Sequence, residues 1–256
     1  MRNRLTVFAL LVVLSLVVSS LGLVQTYPNK PVEIIVPWAA GGATDVTFRA
    51  LGTVFPKYAN NQQLIVKNVP GGGAVMGFIE ALNAPADGYS ILGTASPMVS
   101  KINMDKVEFT ATSYEPVILI VDNSCYLLVP AESPYKDLKD FIADAKKRPG
   151  QITVGNGGAG GGTHFATLAF QASVGIKLNH IPFNGGGPQI TAILGKQVDA
   201  TMNSAPEGVP QALAGQLRLL GVFGDKRLDR FPNVQTAKEQ GFPFTFTMWR
   251  GVLAPK

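Results

Sequence analysis

Four times in this chain a short, apolar run ends in a cluster of glycines. AAGGA follows VEIIV (32–36), NVPGGGA follows LIVK (64–67), GNGGAGGG follows QITVG (151–155) and FNGGGP follows LNHIPF (178–183). Further runs at 89–93, 116–121, 126–130, 197–202 and 217–223 also read as strands. Most are too uniformly apolar for a half-exposed sheet. Amphipathic segments at 44–58, 74–84, 136–147, 163–174 and 206–214 lie between them, so strands alternate with helices and the fold class is α/β.

The placement of the glycines says more than their number. In open α/β sheets the ligand crevice lies beyond the carboxyl ends of the strands, where following helices aim unpaired N–H groups. Glycine lets backbone approach closely and adopt positive φ. None of the four clusters contains Lys or Arg, so an anion there is expected to be held by peptide N–H groups, hydroxyls and water. Charge-assisted bonds contribute roughly 1.5 to 3 kcal/mol each, enough for reversible capture without an ion pair. Tight turns alone also use glycine, and for a single cluster that reading stands equal. Two pairs of clusters on either side of a central segment near 121–126 imply two lobes facing each other.

Charge excludes one class of partner. Of 22 basic residues Arg2 and Arg4 fall in an N-terminal leader, which leaves 20 against 17 acidic ones, or +3. That balance is dispersed, without the basic stripe of a nucleic-acid binder. The leader has two arginines, an apolar stretch from Leu5 to Val18, and small residues at Ser19, Ser20 and Gly22, the order of a secretory signal over residues 1–22. Export to the periplasm is expected; an uncleaved membrane anchor is the alternative, because apolar character continues to Val24. The leader holds no cysteine for lipid attachment, and the single cysteine, Cys125, reads as buried packing.

Catalytic and cofactor motifs fail in context. GNGGAG (155–160) matches G-x-G-x-x-G, but no Asp or Glu stands between Arg148 and Asp199 to bind a ribose. The phosphate-loop lysine is missing too. His164 and His180 lack partners for a metal or a base, and are expected to be structural or to organise a loop. No serine lies in G-x-S-x-G. No cofactor, no metal and no catalytic residue is expected.

The segments YPNKPVEIIVPWAAGGATD, VKNVPGGGA, PADGYSILGT, SPYKDLKDFIADAKKRPGQITVGNGGAGGGTH, HIPFNGGGPQITAILGKQVDATM and GDKRLDRFPNVQTAKEQGFPF, in that order, resemble the extracytoplasmic receptors of tripartite tricarboxylate transporters, the Bug or TctC family. The likeness spans 27–256. It implies a two-lobed, Venus-flytrap receptor of the type II periplasmic-binding-protein class, each lobe a sheet flanked by helices. Such receptors bind a small carboxylated solute in the cleft and deliver it to a two-component membrane permease; a monomer is expected, and no nucleic acid. By this resemblance lobe 1 comprises 27–122 and 222–256, and lobe 2 comprises 123–221, with crossings near Asp122–Cys125 and Leu220–Gly224.

Carried over by position, Trp38, Ala39, Gly41 and Gly42 form the first carboxylate loop, and Gly72 and Gly73 the second. Gly158, Gly160 and Thr163 face them from the other lobe, with Phe183, Asn184 and Gly185 alongside. Asp45 has two readings: a helix-start residue that fixes the loop, or a partner for an ammonium or hydroxyl group of the ligand. Trp38 either lines the pocket or packs in the core. Ser96 and Asn203, each just past a strand end, complete the candidate set. The chain departs from the family pattern at Val69, where a basic residue is common. It also stops at MWRGVLAPK, where the pattern continues with helices that complete the first lobe, so a fragment or truncated product is expected. Two other functional classes fit the same residues: a sensor that hands its closed form to a signalling partner, and an α/β enzyme acting on a carboxylated substrate.

Overall fold

The structure, a computed structural model, describes residues 26–104 and 106–256; the expected leader lies outside the described residues. Strand β1 (Val32–Val36) is buried at every position but Glu33, as expected for an interior parallel strand. It pairs in parallel with β2 (Leu64–Asn68) on one side and β3 (Ser90–Ala95) on the other, with Ile34 opposite Val66 and Ile91. Helices α1 (Ala43–Val54), α2 (Val75–Leu82) and α3 (Pro97–Met104) belong to this half, whose core includes Ile34, Phe48, Phe78, Leu92 and Phe109.

The second half repeats the plan. Strand β5 (Thr153–Asn156) lies parallel to β6 (Asn179–Pro182) and to β7 (Ala200–Ser204). Helices α4 (Leu138–Lys147), α5 (Gly162–Val174), α6 (Gly186–Leu194) and the short α7 (Val209–Leu213) accompany it. Its core gathers Leu127, Phe141, Val154, Phe170 and Phe223, and a smaller cluster holds Tyr126, Leu128, Ile190, Ile193 and Leu219. Each half is thus a sheet with helices, the architecture expected from the alternating pattern.

Two antiparallel strands join the halves. The runs at 116–121 and 126–130, expected as separate strands, are one continuous β4 (Tyr114–Pro130). The polar residues between them do not break it, because Asp122, Asn123 and Ser124 pair with Trp249, Met248 and Thr247 of β9 (Thr247–Pro255). From Cys125 onward β4 instead pairs with β7 and with β8 (Leu217–Phe223). β9 also pairs with β3, which gives the order β2-β1-β3-β9-β4-β7-β5-β6 with β8 on β4.

The chain after β8 continues to pack on the second half. Phe223, Ala237 and Phe244 share the core of the second half, and the Phe246 amide donates to the Phe223 carbonyl at 2.7 Å. The crossing therefore occurs in β9, with Met248 in one core and Val252 in the other. Several helices are shorter than expected, α1 and α7 the most. α1 stops at Val54, where Pro56 starts a tighter turn, and α7 begins only at Val209 because Gly208 holds a left-handed φ of 71°. α3 was not anticipated; its polar residues carry little periodic signal. On β4, Val117, Ile118 and Leu119 are exposed, against the buried strand the apolar run suggested. Among the described residues no helix is long and apolar enough to cross a membrane.

Candidate functional site

All four glycine turns lie at carboxyl ends of parallel strands, and they meet in pairs across the two halves. The turn after β1 faces the turn after β6: the Ala39 amide donates to the Asn184 carbonyl at 3.1 Å. A Cβ added to Gly187 would stand 2.1 Å from the Ala40 oxygen, and one at Gly185 would stand 3.2 Å from the Ala39 nitrogen. The turn after β2 faces the turn after β5, where a Cβ at Gly73 would lie 2.9 Å from the Ala159 oxygen. Side chains at these positions would hold the halves apart. Between the halves lies a narrow cleft, reached by the first turns of α1, α5 and α6 and lined by three of the four turns, while the turn after β2 borders a recess beside it.

The candidate residues divide by position. Trp38, Gly42, Thr163 and Gly185 line the cleft, and Gly73, Phe183 and Asn184 line a smaller recess beside Trp38. The ring of Trp38 also meets Phe78 edge-on at 6.1 Å in the core. Thr163 accepts a bond from the Gly157 amide at 2.8 Å and so shapes the turn it borders. Ala39 and Gly41 lie on the facing turns, and Gly72, Gly158 and Gly160 hold positive φ within theirs, all outside the main lining. Ser96 is turned to the sheet, where its hydroxyl accepts from the Trp249 amide at 3.0 Å.

Asp45 is turned to its own loop. Oδ2 accepts from the Gly41 amide at 2.9 Å, and Oδ1 accepts from Arg49 Nε at 2.9 Å and Asn68 Nδ2 at 3.0 Å. Burial pushes its pKa up, but those bonds outweigh burial and hold it below the ordinary carboxylate value. His164 has a similar duty: its Nδ1 accepts from the Gly160 amide at 3.1 Å, while His180 Nε2 meets Gln171 Oε1 at 3.0 Å. Burial lowers the pKa of both imidazoles, and for His164 the charges of His180 and Lys101 add to it. Among the described residues no cluster of His, Cys, Asp and Glu could hold a metal ion.

Two charged residues in the cleft escaped the sequence reading. Glu207, on the turn after β7, is buried; its Oε1 accepts from the Ala43 amide at 2.8 Å, at the first residue of α1 in the other half. Its Oε2 accepts from Asn203 Nδ2 at 3.1 Å, so the Asn203 amide is turned to Glu207. The helix N-terminus thus already holds a carboxylate, the chain's own. Arg250, from β9, is 1% exposed, and its Nη2 donates to Ser204 Oγ at 2.5 Å. Burial lowers its pKa and the negative charge of Glu207 opposes that. The expectation that cationic side chains are missing from the site is therefore corrected: a guanidinium lines it. One signal was present, since an arginine inside the apolar run TMWRGVLAP must be desolvated wherever that strand is buried.

A family model described as "Tripartite tricarboxylate transporter family receptor" matches residues 53–256. The UPF0065 protein of the gbd 5' region of Cupriavidus necator is 34% identical over 235 residues, which is 90% of this chain and 70% of that protein. The solved periplasmic binding protein BugD superposes with a TM-score of 0.84 at 30% identity, over 90% of this chain and 78% of BugD. MatC of Rhodopseudomonas palustris, solved with bound malate, gives a TM-score of 0.83 at 25% identity over 90% of this chain and 79% of MatC. A family match over most of the chain, joined by a shared two-half fold, means that this chain belongs to the TctC/Bug family of periplasmic solute-binding proteins, receptors rather than enzymes.

Proposed function

We propose that the protein captures a small carboxylic acid in this cleft and passes it to the membrane permease of a tripartite tricarboxylate transporter. The observation that carries the reading is the meeting of four glycine turns, two from each half: Trp38, Gly73, Gly157 and Asn184, one from each turn, line one recess, and three of the turns also line the cleft beside it. Backbone donors at helix starts favour an anion, and a solute contacted from both sides draws the halves together. Among the described residues only β4 and β9 run through both halves, so bending of these strands is the natural hinge. The malate held by MatC supports the substrate class. The N-terminal leader would direct the chain to the periplasm, where such a solute is met.

Calorimetry with malate, succinate, butyrate and citrate tests the binding step, and small-angle scattering tests closure. Saturable binding of at least one acid, with a smaller radius of gyration in its presence, is expected. Absence of binding by every acid in the panel would overturn the reading. For delivery, deletion of the gene should abolish cellular uptake of the acid that binds; unchanged uptake would remove the permease from the proposal.

A further inference from the structure

Among the described residues Arg250 is the one cation that lines the cleft, and its hydrogen bonding there is incomplete. Nη2 is held by Ser204, whereas Nε and Nη1 are buried with no hydrogen-bond partner among the described residues. Buried guanidinium N–H groups left unpaired are costly, and in native structures each calls for an explanation. Glu207 does not supply the missing acceptor: its oxygens are taken by Ala43, Asn203 and, at 3.5 Å, the Ser204 amide. Nor is the ring of donors at the α1 start wholly open to a ligand, because Glu207 occupies the Ala43 amide.

We propose that Arg250 is the residue that receives the ligand's carboxylate, through guanidinium N–H groups that no atom of the described residues accepts. This rests on the carboxylate-receptor reading above and adds to it a specific charged contact. A planar fork anchored at one nitrogen by Ser204 is pre-oriented, so little side-chain freedom is lost on binding. The position also suits closure. Arg250 lies on β9, a strand that runs through both halves, and Ser204 ends β7 of the second half. A carboxylate on Arg250 therefore sits at the junction of the two sheets, opposite the α1 turn that Glu207 draws in.

The test compares the wild-type protein with Arg250→Lys and Arg250→Met, titrated calorimetrically with malate, succinate, butyrate and citrate. Folding is checked by circular dichroism and melting temperature. The expected result is a loss of about thirtyfold or more in affinity for the bound acid in Arg250→Met, with a smaller loss of about tenfold in Arg250→Lys. If Arg250→Met does not fold, Arg250→Lys, which keeps the buried charge, decides alone. Affinity within threefold of wild type in a folded variant overturns the role of Arg250 and leaves the receptor reading intact. A wild-type protein that binds none of the acids overturns the receptor reading and this inference with it.

Discussion

At Gly187 even one methyl group has no room, since it would stand 2.1 Å from the Ala40 oxygen of the facing turn. The clash is between halves, not within one, and the residue's own φ is not in the left-handed region. Gly187→Ala should therefore weaken acid binding by about tenfold or more, an overpacking cost of roughly 1 to 3 kcal/mol, while the melting temperature moves by no more than about 2 °C. Calorimetry and a melt on the same sample check both numbers; a large fall in melting temperature would mean that the contact supports the fold itself. Asp45 is a different kind of residue. Its carboxylate is bonded by Gly41, Arg49 and Asn68, and its folded-state pKa lies below the ordinary 3.8. Its contribution to stability is complete above that ordinary value and is lost as pH falls through the lowered one. Asp45→Asn should cost about 1.5 to 3 kcal/mol at pH 7 by denaturant unfolding and flatten the acid limb of the stability profile. An unchanged acid limb would show that the loop does not depend on this charge.

The elements around the cleft are strand, glycine turn and helix, and one of those turns has a titratable support. His164, in the first turn of α5, accepts the Gly160 amide and keeps the 157–161 turn against the 71–74 turn. Burial depresses its pKa below the ordinary 6.5, so the folded protein holds it neutral where the unfolded chain would bind a proton. Stability is complete above about pH 6.5 and declines as pH falls toward the lowered folded-state value, where a protonated Nδ1 can no longer accept. His164→Gln offers an acceptor that does not titrate. It should remove most of that decline, measured as the unfolding midpoint between pH 7 and pH 5; a decline identical to wild type would assign it to His180 or to carboxylates.

At the scale of the whole molecule, the halves are held together by bonds that cross the cleft. Ala43 donates to Glu207 at 2.8 Å, Ala39 to Asn184 at 3.1 Å, and Ser100 Oγ to the Gly160 carbonyl at 3.1 Å. The first is charge-assisted and its loss removes about 1.5 to 3 kcal/mol from the closed arrangement, a shift of roughly tenfold or more in an open–closed balance. Glu207→Ala should thus have a larger radius of gyration than wild type without acid, by small-angle scattering. Equal radii would show that closure does not depend on Glu207.

Local structure was legible because it is set by neighbours in the chain: apolar runs specified strands, and glycine clusters specified the turns that start α1, α5 and α6. The same locality explains the candidate residues Trp38, Gly42, Thr163 and Gly185, which sit in those turns and do line the cleft. Ala43 and Glu207 are 164 positions apart, and Arg250 and Ser204 are 46 apart, so no spacing rule could join them. Nor could composition show that residues 224–246 stay with the second half, because that depends on Phe244 finding Phe170 and Phe223. What the chain determined by itself was the backbone apparatus, since positive φ and bare N–H groups are properties of single residues. Which charges face each other within it was decided only by tertiary structure, because burial and the separation between distant side chains exist only once the two sheets have been joined.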